Sequence, residues 1–275
     1  VQRVGPSTGL PTRTAQGDLS MLYTLGHGDT KHAILIPGTV TECFEFGWRS
    51  LDIAEKYQTP IFVLSDLDLG MNTWVTKRFE YPNQPIERGK IIWEDQLEPI
   101  KDWGRYKDLD GDGIPYRTVV GNMSKKAAYF ARGTGHDEYG NYSEDPKNWS
   151  DMLNRIGGKL EGMVKDLPGP IIRRAADDAD IGIIGMGSTH DAMIEAQDIL
   201  AEMGIQSDYM RVRALPANTT VREFIASHSR IYVVELNRDG QLRQILSLEI
   251  SEYSEKLISI SEIGGLPLPA ACTGP

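Results

Sequence analysis

Ile181-Gly182-Ile183-Ile184-Gly185-Met186 opens the stretch whose reading decides the fold. It reads as a strand, and a regular alternation follows: helix over His190 to Met203, strand over Ser207 to Val212, helix over Thr220 to Ala226, strand over Ile231 to Leu236, and a helix from about Asp239. Strands alternating with helical patterns imply an α/β unit around a parallel sheet. Before this unit, Pro168-Gly169-Pro170 breaks the chain, and a helix is predicted from about Asp151 to Lys165. Nearer the start, His32 to Pro37 is a short apolar run, Val40 to Gln58 has helical spacing and Pro60 to Leu64 is β-rich. This second strand, helix, strand unit implies a parallel pair with a right-handed crossover, and Thr39 or Thr41 suits its helix N-cap. Between the units, Asp66 to Ser150 mixes Trp, Tyr, Pro, Gly and charges without a sustained period. We read it as a long insertion ordered by packing, because a structureless stretch of that length is uncommon in a compact domain. No internal repeat relates the two units.

Composition excludes several function classes. The chain has 275 residues, 40% hydrophobic and 25% charged, which is the ordinary globular range and suggests one or two domains. A net charge of −10 and five scattered Trp residues disfavour a nucleic-acid surface, whose expected footprint is basic. No apolar run approaches the roughly 18 residues needed to span a bilayer, and Val1-Gln2-Arg3 is neither an initiator Met nor a signal-peptide start. The expectation is a soluble, cytoplasmic protein with no membrane or nucleic-acid partner. Cys43 and Cys272 are far apart and no CxxC occurs, so this chain alone is expected to build neither an iron–sulfur cluster nor a four-ligand zinc site. Cys43 falls in a helical pattern and is expected to be buried, and Cys272 lies in a loose tail.

Residues Gly5 to Asp18, Gly-Pro-Ser-Thr-Gly-Leu-Pro-Thr-Arg-Thr-Ala-Gln-Gly-Asp, suit a small anion. Arg13 offers a bidentate contact to a carboxylate, with Thr12 and Thr14 beside it and the hydroxyls of Ser7 and Thr8 earlier in the loop. Pro6 and Pro11 stiffen the backbone, and Gly5 and Gly9 permit close approach. His27, in Gly26-His27-Gly28-Asp29, is an accessible imidazole suited to proton donation, or else a loop histidine bonded to backbone. Asp18 reads as a helix cap.

Asp108-Leu109-Asp110-Gly111-Asp112-Gly113 opens like a calcium loop, with Asp108, Asp110 and Asp112 as candidate ligands for calcium or magnesium. Position 12 is Val119 instead of a bidentate Glu, so an Asp/Gly turn without metal is the competing reading. Gly111-Asp112-Gly113 also lies 28 residues before Asn141, close to the spacing of a magnesium-diphosphate motif, but its hydrophilic surroundings do not suit a buried strand end. Gly185-Met186-Gly187-Ser188 invites a phosphate-loop reading and is better taken as a tight strand-to-helix turn. Ser188 and His190 lack the glycine elbow of a hydrolase, and His190 is expected to face solvent. His136-Asp137-Glu138-Tyr139 reads as a structured turn.

The front loop, Gly26 to Asp29, Ala54 to Asp66, Gly133 to Tyr139 and Glu235 to Leu242 resemble, in order, the α subunit of 2-oxoacid:ferredoxin oxidoreductases, nearest the 2-oxoglutarate branch. The resemblance implies a partial pyrimidine-type domain of thiamine-diphosphate enzymes over residues 1–66 and an insertion and connection over 67–168. It further implies a domain similar to the transketolase C-terminal domain over 169–250, with a tail over 251–275. It implies oxidative decarboxylation of a 2-oxoacid to an acyl-CoA, with coenzyme A as acyl acceptor and ferredoxin as electron acceptor. A β subunit would hold or share thiamine diphosphate and magnesium and carry a 4Fe-4S cluster, and a γ domain or subunit would complete the assembly. Arg13 then falls where the family holds the substrate carboxylate, and catalysis is not expected on this chain alone. The family's Tyr-Pro-Ile-Thr-Pro segment and activating glutamate would lie before Val1. The alternatives are a non-catalytic assembly module with a cation-stabilised insertion, or a pyruvate or branched-chain oxoacid enzyme.

Overall fold

The computed structural model describes residues 1–6 and 9–273. In the front unit, α1 (Leu19–Tyr23) leads into β1 (Ala33–Leu35), α2 (Val40–Tyr57) and β2 (Ile61–Val63), and β1 pairs in parallel with β2. Two short helices, α3 (Leu67–Met71) and α4 (Glu94–Leu97), are followed by a long irregular stretch and then α5 (Pro146–Met163). The back unit runs β3 (Ile171–Arg173), β4 (Ile181–Met186), α6 (His190–Glu202), β5 (Ser207–Val212), β6 (Ala214–Leu215), α7 (Thr219–Ser227), β7 (Arg230–Glu235), α8 (Gln241–Glu249) and β8 (Leu257–Ser261). The chain is therefore α/β, with a three-stranded sheet ordered β2-β1-β6 and a five-stranded sheet ordered β3-β5-β4-β7-β8. The alternation read from residues 181–236 is present, and β4, β5 and β7 are parallel neighbours as it implies.

Three strands escaped the sequence reading. β3 and β6 are three and two residues long, too short for period-two alternation to register, and both pair antiparallel at the ends of longer strands. The tail expected over 251–275 instead contains β8, which extends the large sheet by pairing in parallel with β7. Leu257 is buried while Ile258 is exposed, so β8 shows an edge-strand pattern that is weak in sequence.

β5 and β6 are one extended segment interrupted at Arg213, so the same stretch leaves the large sheet and enters the small one. The core is continuous across that crossing. Ile34, Ile36 and Leu64 of the front unit pack with Ile184, Met186, Met210 and Val212 of the back unit. A second cluster joins Phe46, Ile53 and Tyr57 of α2 to Met163, to Leu167 and to Ile114 of the insertion.

The insertion is fastened to α2 and α5 mainly by polar contacts. Arg117 pairs with Glu55, Gln58 Nε2 donates to the Pro115 carbonyl at 2.6 Å, and Arg155 donates to the Gly113 carbonyl at 2.7 Å. Such contacts leave no periodic trace, which is why this region reads as featureless.

A buried carboxylate sits where the two sheets meet. Thr39 caps α2, its hydroxyl accepting from the Glu42 N–H at 3.2 Å, and Glu42 reaches back to accept from the Gly38 N–H at 2.8 Å, an arrangement close to a capping box. The Arg211 guanidinium, fully buried on β5, donates to both oxygens of Glu42 at 2.6 and 2.7 Å, and Arg213 approaches the same carboxylate at 2.8 Å. Gly38 is required here, because a Cβ at that position would lie 1.6 Å from Arg211 Nη1. Burial pushes the Glu42 carboxyl up, but the Arg211 hydrogen bonds, the Gly38 N–H and the Arg213 charge outweigh it and hold it below its ordinary 4.5.

Two outcomes follow. Glu42→Ala strands the buried Arg211 charge and should lower unfolding free energy in urea by about 3–5 kcal/mol; a loss under about 1 kcal/mol contradicts this. Because the folded carboxyl is depressed, its stabilisation is present above pH 4.5 and fades as pH falls through the folded value. The stability gap between wild type and Glu42→Gln, measured by urea titration at a series of pH values, should thus be widest at neutral pH and close below 4.5.

Candidate functional site

The front segment is laid across the junction. Gln2 N–H donates to the Ser65 carbonyl at 2.7 Å, beyond the end of β2. Thr14 N–H donates to the Gly265 carbonyl at 3.2 Å, and the buried Thr14 hydroxyl accepts from the Asp68 N–H at 3.3 Å. Gln16, fully buried, is the most heavily bonded residue of the segment. Its backbone N–H donates to Leu236 O at 2.8 Å, its Oε1 accepts from Leu236 N at 3.2 Å, and its Nε2 donates to Met186 O at 2.9 Å and to Asp66 Oδ2 at 3.3 Å. Residues 14–16 are thus tied to the ends of β2, β4 and β7 together.

Between those anchors, Val4 N–H donates to Arg13 O at 2.8 Å, which brings the chain on either side of residues 5–12 together as the base of a loop. Thr12 and Arg13 are exposed, and Arg13 Nη1 donates to the Thr12 carbonyl at 3.1 Å. Thr12 holds a φ of 35°, which is uncommon for a β-branched residue. Ser7 and Thr8 lie outside the described residues. A cleft of about 580 Å³ opens beside the loop, lined by Arg3, Pro6, Thr14 and Gly17 on one side and by Asn237, Arg238, Glu262 and Gly265 on others. Arg13 is exposed and does not line this cleft, while Thr14 is buried and does, so the structure separates two residues that the sequence reading grouped. His27 is exposed on the turn between α1 and β1, and Asp18 occupies the N-cap position of α1 without a side-chain capping bond.

The turn after β4 is occupied by the chain's own anion. Asp66 Oδ2 accepts from Ser188 N–H at 3.1 Å and Ser188 Oγ at 2.7 Å, and Asp66 Oδ1 accepts from Leu69 N–H at 3.3 Å. One carboxylate thereby serves the turn that leads into α6 and the first turn of α3, where free N–H groups favour an anion. Residues 185–188 are a strand-to-helix turn closed by that internal contact. His190 is half-buried instead of solvent-facing: its Nδ1 lies 3.1 Å from Tyr209 Oη, and burial together with the Arg211 charge pushes its imidazole down.

The segment Glu235 to Leu242 is a clamp. The buried Glu235 carboxylate accepts from the Leu242 and Arg243 N–H groups at 2.7 and 3.0 Å and from Asn237 Nδ2 at 2.7 Å. Burial nevertheless pushes its carboxyl up. Asn237 Nδ2 also donates to Gln16 O at 3.0 Å, and Gln241 bonds both Gly17 O and Ser20 N. Arg238 and Asp239 pair with one another, exposed at the cleft.

Asp108, Asp110 and Asp112 do converge, with ligand oxygens within 4.8 Å of one another. The Lys90 ammonium already bridges Asp110 and Asp112 at 2.6 Å each, and Asp108 accepts from the Gly111 and Gly113 N–H groups at 2.9 and 2.8 Å. A divalent ion there would compete with an internal cation. The same contacts make Gly111-Asp112-Gly113 a surface turn with both glycines at positive φ, and Asp112 is spent on Lys90 and the Ile114 N–H. These residues do not fit a diphosphate-bound magnesium. Asp137 accepts from Tyr139 N, Asn141 N and Asn141 Nδ2, so His136 to Tyr139 is a structured turn. Cys43 is half-buried, and burial, Asp66 and Glu42 push its thiol up.

Sequence reasoning missed Gln16, Asp66, Glu42 and Arg211. Only Glu42 had a local signal, since Thr39-Val40-Thr41-Glu42 has capping-box spacing. The others act through contacts 50 to 220 residues away.

Residues 1–102 match the thiamine-diphosphate-binding domain of pyruvate flavodoxin/ferredoxin oxidoreductases. The chain is 31% identical, over 97% of its length, to the α subunit of 2-oxoacid:ferredoxin oxidoreductase 2 from Aeropyrum pernix, of which it covers 41%. It is 28% identical, over 86% of its length, to 2-oxoglutarate synthase subunit KorA from Methanothermobacter marburgensis, of which it covers 61%. Among solved structures, 2-oxoglutarate:ferredoxin oxidoreductase from Magnetococcus marinus, with 2-oxoglutarate, coenzyme A and succinyl-CoA bound, superposes with a TM-score of 0.87 at 31% identity, covering 98% of this chain and 46% of that one. The chain thus spans about two-fifths of the first curated relatives it matches. By these matches nearly the whole chain is similar to part of the α subunits of 2-oxoacid:ferredoxin oxidoreductases.

Proposed function

We propose that this chain is the oxoacid-gripping portion of a thiamine-diphosphate-dependent 2-oxoacid:ferredoxin oxidoreductase, with 2-oxoglutarate as the preferred acid. The reaction converts a 2-oxoacid and coenzyme A to an acyl-CoA and carbon dioxide, and two electrons pass to ferredoxin. The observation that carries this reading is Arg13. Its guanidinium is exposed, next in the chain to a residue that lines the cleft, where the Val4–Arg13 backbone bond draws the chain together, while the residues that follow it are committed to the fold. Among the described residues no carboxylate pairs with it, and a planar fork matches a carboxylate in two places at once.

Thiamine diphosphate supplies the carbanion chemistry when bound. In this reading a β subunit holds its diphosphate and magnesium and carries the iron–sulfur cluster, since the Gly-Asp-Gly here is a surface turn bonded to Lys90. A γ domain or subunit completes the assembly. This chain contributes substrate orientation: Arg13 fixes the carboxylate, Thr12 lies beside it, and His27 is the available imidazole for proton donation to the oxoacid carbonyl. Holding the acid in one orientation converts a bimolecular encounter into an intramolecular one, and that is where a gripping residue acts on rate.

With the β partner and coenzyme present, wild type should bind 2-oxoglutarate in isothermal titration. Arg13→Ala should weaken that binding about 10- to 100-fold, the range for a charge-assisted hydrogen bond of about 1.5–3 kcal/mol. Arg13→Lys should fall between, because it keeps charge without the fork. Unaltered affinity in Arg13→Ala overturns the assignment.

A further inference from the structure

The segment after β8 runs directly beneath the front loop. Glu262 N–H donates to Glu235 O at 2.9 Å, continuing the register of the large sheet. Farther on, Leu268 packs against the cluster of Met193, Ala196 and Tyr209. Residues 263–267 are thus slung between two fixed points. Gly265 lies in the middle, buried, with φ +75°. Its carbonyl receives the Thr14 N–H at 3.2 Å, on the residue that follows Arg13. Its bare Cα face meets the loop: a Cβ there would come within 2.9 Å of Leu10 Cδ1, 3.1 Å of Arg13 Cβ and 3.3 Å of Val4 Cγ2. Those atoms belong to both sides of the loop base and to its far limb.

We propose that Gly265 is a positioning residue for Arg13, a floor continuing from the large sheet that sets the height and tilt at which the guanidinium leaves the loop. The proposal rests on the reading of Arg13 as the oxoacid grip. The floor acts in two ways. Its carbonyl fixes the backbone one residue past Arg13, and its missing side chain lets Leu10, Arg13 and Val4 settle on one spot. Alanine presses on the loop: the end of the exposed Leu10 side chain can swing aside, but Arg13 Cβ and Val4 Cγ2 must give by a few tenths of an ångström, and the positive φ adds strain. The small sheet and the Glu42 pair stay untouched by that displacement, so the fold survives while the grip moves.

The test is steady-state kinetics of the assembled enzyme with 2-oxoglutarate and coenzyme A varied separately. Gly265→Ala should raise KM for the oxoacid about tenfold, as expected for a displaced binding group, with kcat and KM for coenzyme A unchanged within about twofold. Gly204→Ala is the control: it shares the positive φ, at +82°, but meets nothing within 4 Å, and should leave both KM values alone. If Gly265→Ala fails to fold, Leu10→Ala removes the side chain seated on Gly265 and should give the same one-sided rise. An unchanged oxoacid KM in the folded variant, or a fall in kcat with both KM values rising together, overturns the floor. Arg13→Ala separates the two ideas: a raised oxoacid KM in Arg13→Ala but not in Gly265→Ala sinks the floor alone, and an unchanged KM in Arg13→Ala sinks the grip and the floor with it.

Discussion

Two guanidiniums on one buried carboxylate hold the architecture in register. Arg211 and Arg213 are two residues apart on the strand that passes from the large sheet to the small one, and Glu42 is at the first turn of the helix that covers the small sheet. A buried ion pair is weak evidence for net stability, because desolvation offsets much of the attraction. It is strong evidence for specificity. A one-residue slip would turn the arginines to the opposite face and leave Glu42 buried without its partners, so this pair selects one alignment of the crossing strand.

From that alignment the rest follows. Once β5 and β6 are placed, the ends of β2 and β4 lie close enough for Asp66 to cap the turn after β4, and Gln16 lies between them. Ligands of α/β proteins gather at the carboxyl ends of strands, where helix N-termini offer N–H groups. Here the N–H groups of the turn after β4 and of the start of α8 are taken up internally by Asp66 and Glu235. What remains for an external anion is the loop held above the junction, and within that loop Arg13.

Legibility in the sequence tracked the range of the interactions. Most strands and helices of the back unit were readable because their hydrophobic spacing is local, and so was α2, although its spacing allowed either Thr39 or Thr41 as cap and the structure uses Thr39. β3, β6 and β8 were not, since each is short and completes a neighbour's ladder instead of carrying its own pattern. The insertion gave no period because contacts such as Arg117–Glu55 order it in place of an apolar stripe. At the candidate site, the composition of residues 5–18 pointed to an anion, but it could not reveal that Thr14 turns inward while Arg13 stays out. The acidic loop illustrates the same limit: three aspartates at calcium-loop spacing are visible in sequence, and the Lys90 that neutralises two of them is 20 residues upstream of Asp110.

The most direct measurement is an experimental structure of the chain in its assembly with a 2-oxoacid bound. The oxoacid carboxylate should lie beside the loop that carries Arg13, with Arg13 turned away from the Thr12 carbonyl and its guanidinium nitrogens about 2.7–3.2 Å from the carboxylate oxygens. A bound oxoacid whose carboxylate is held by other groups, with Arg13 still on Thr12 and facing solvent, would contradict that placement.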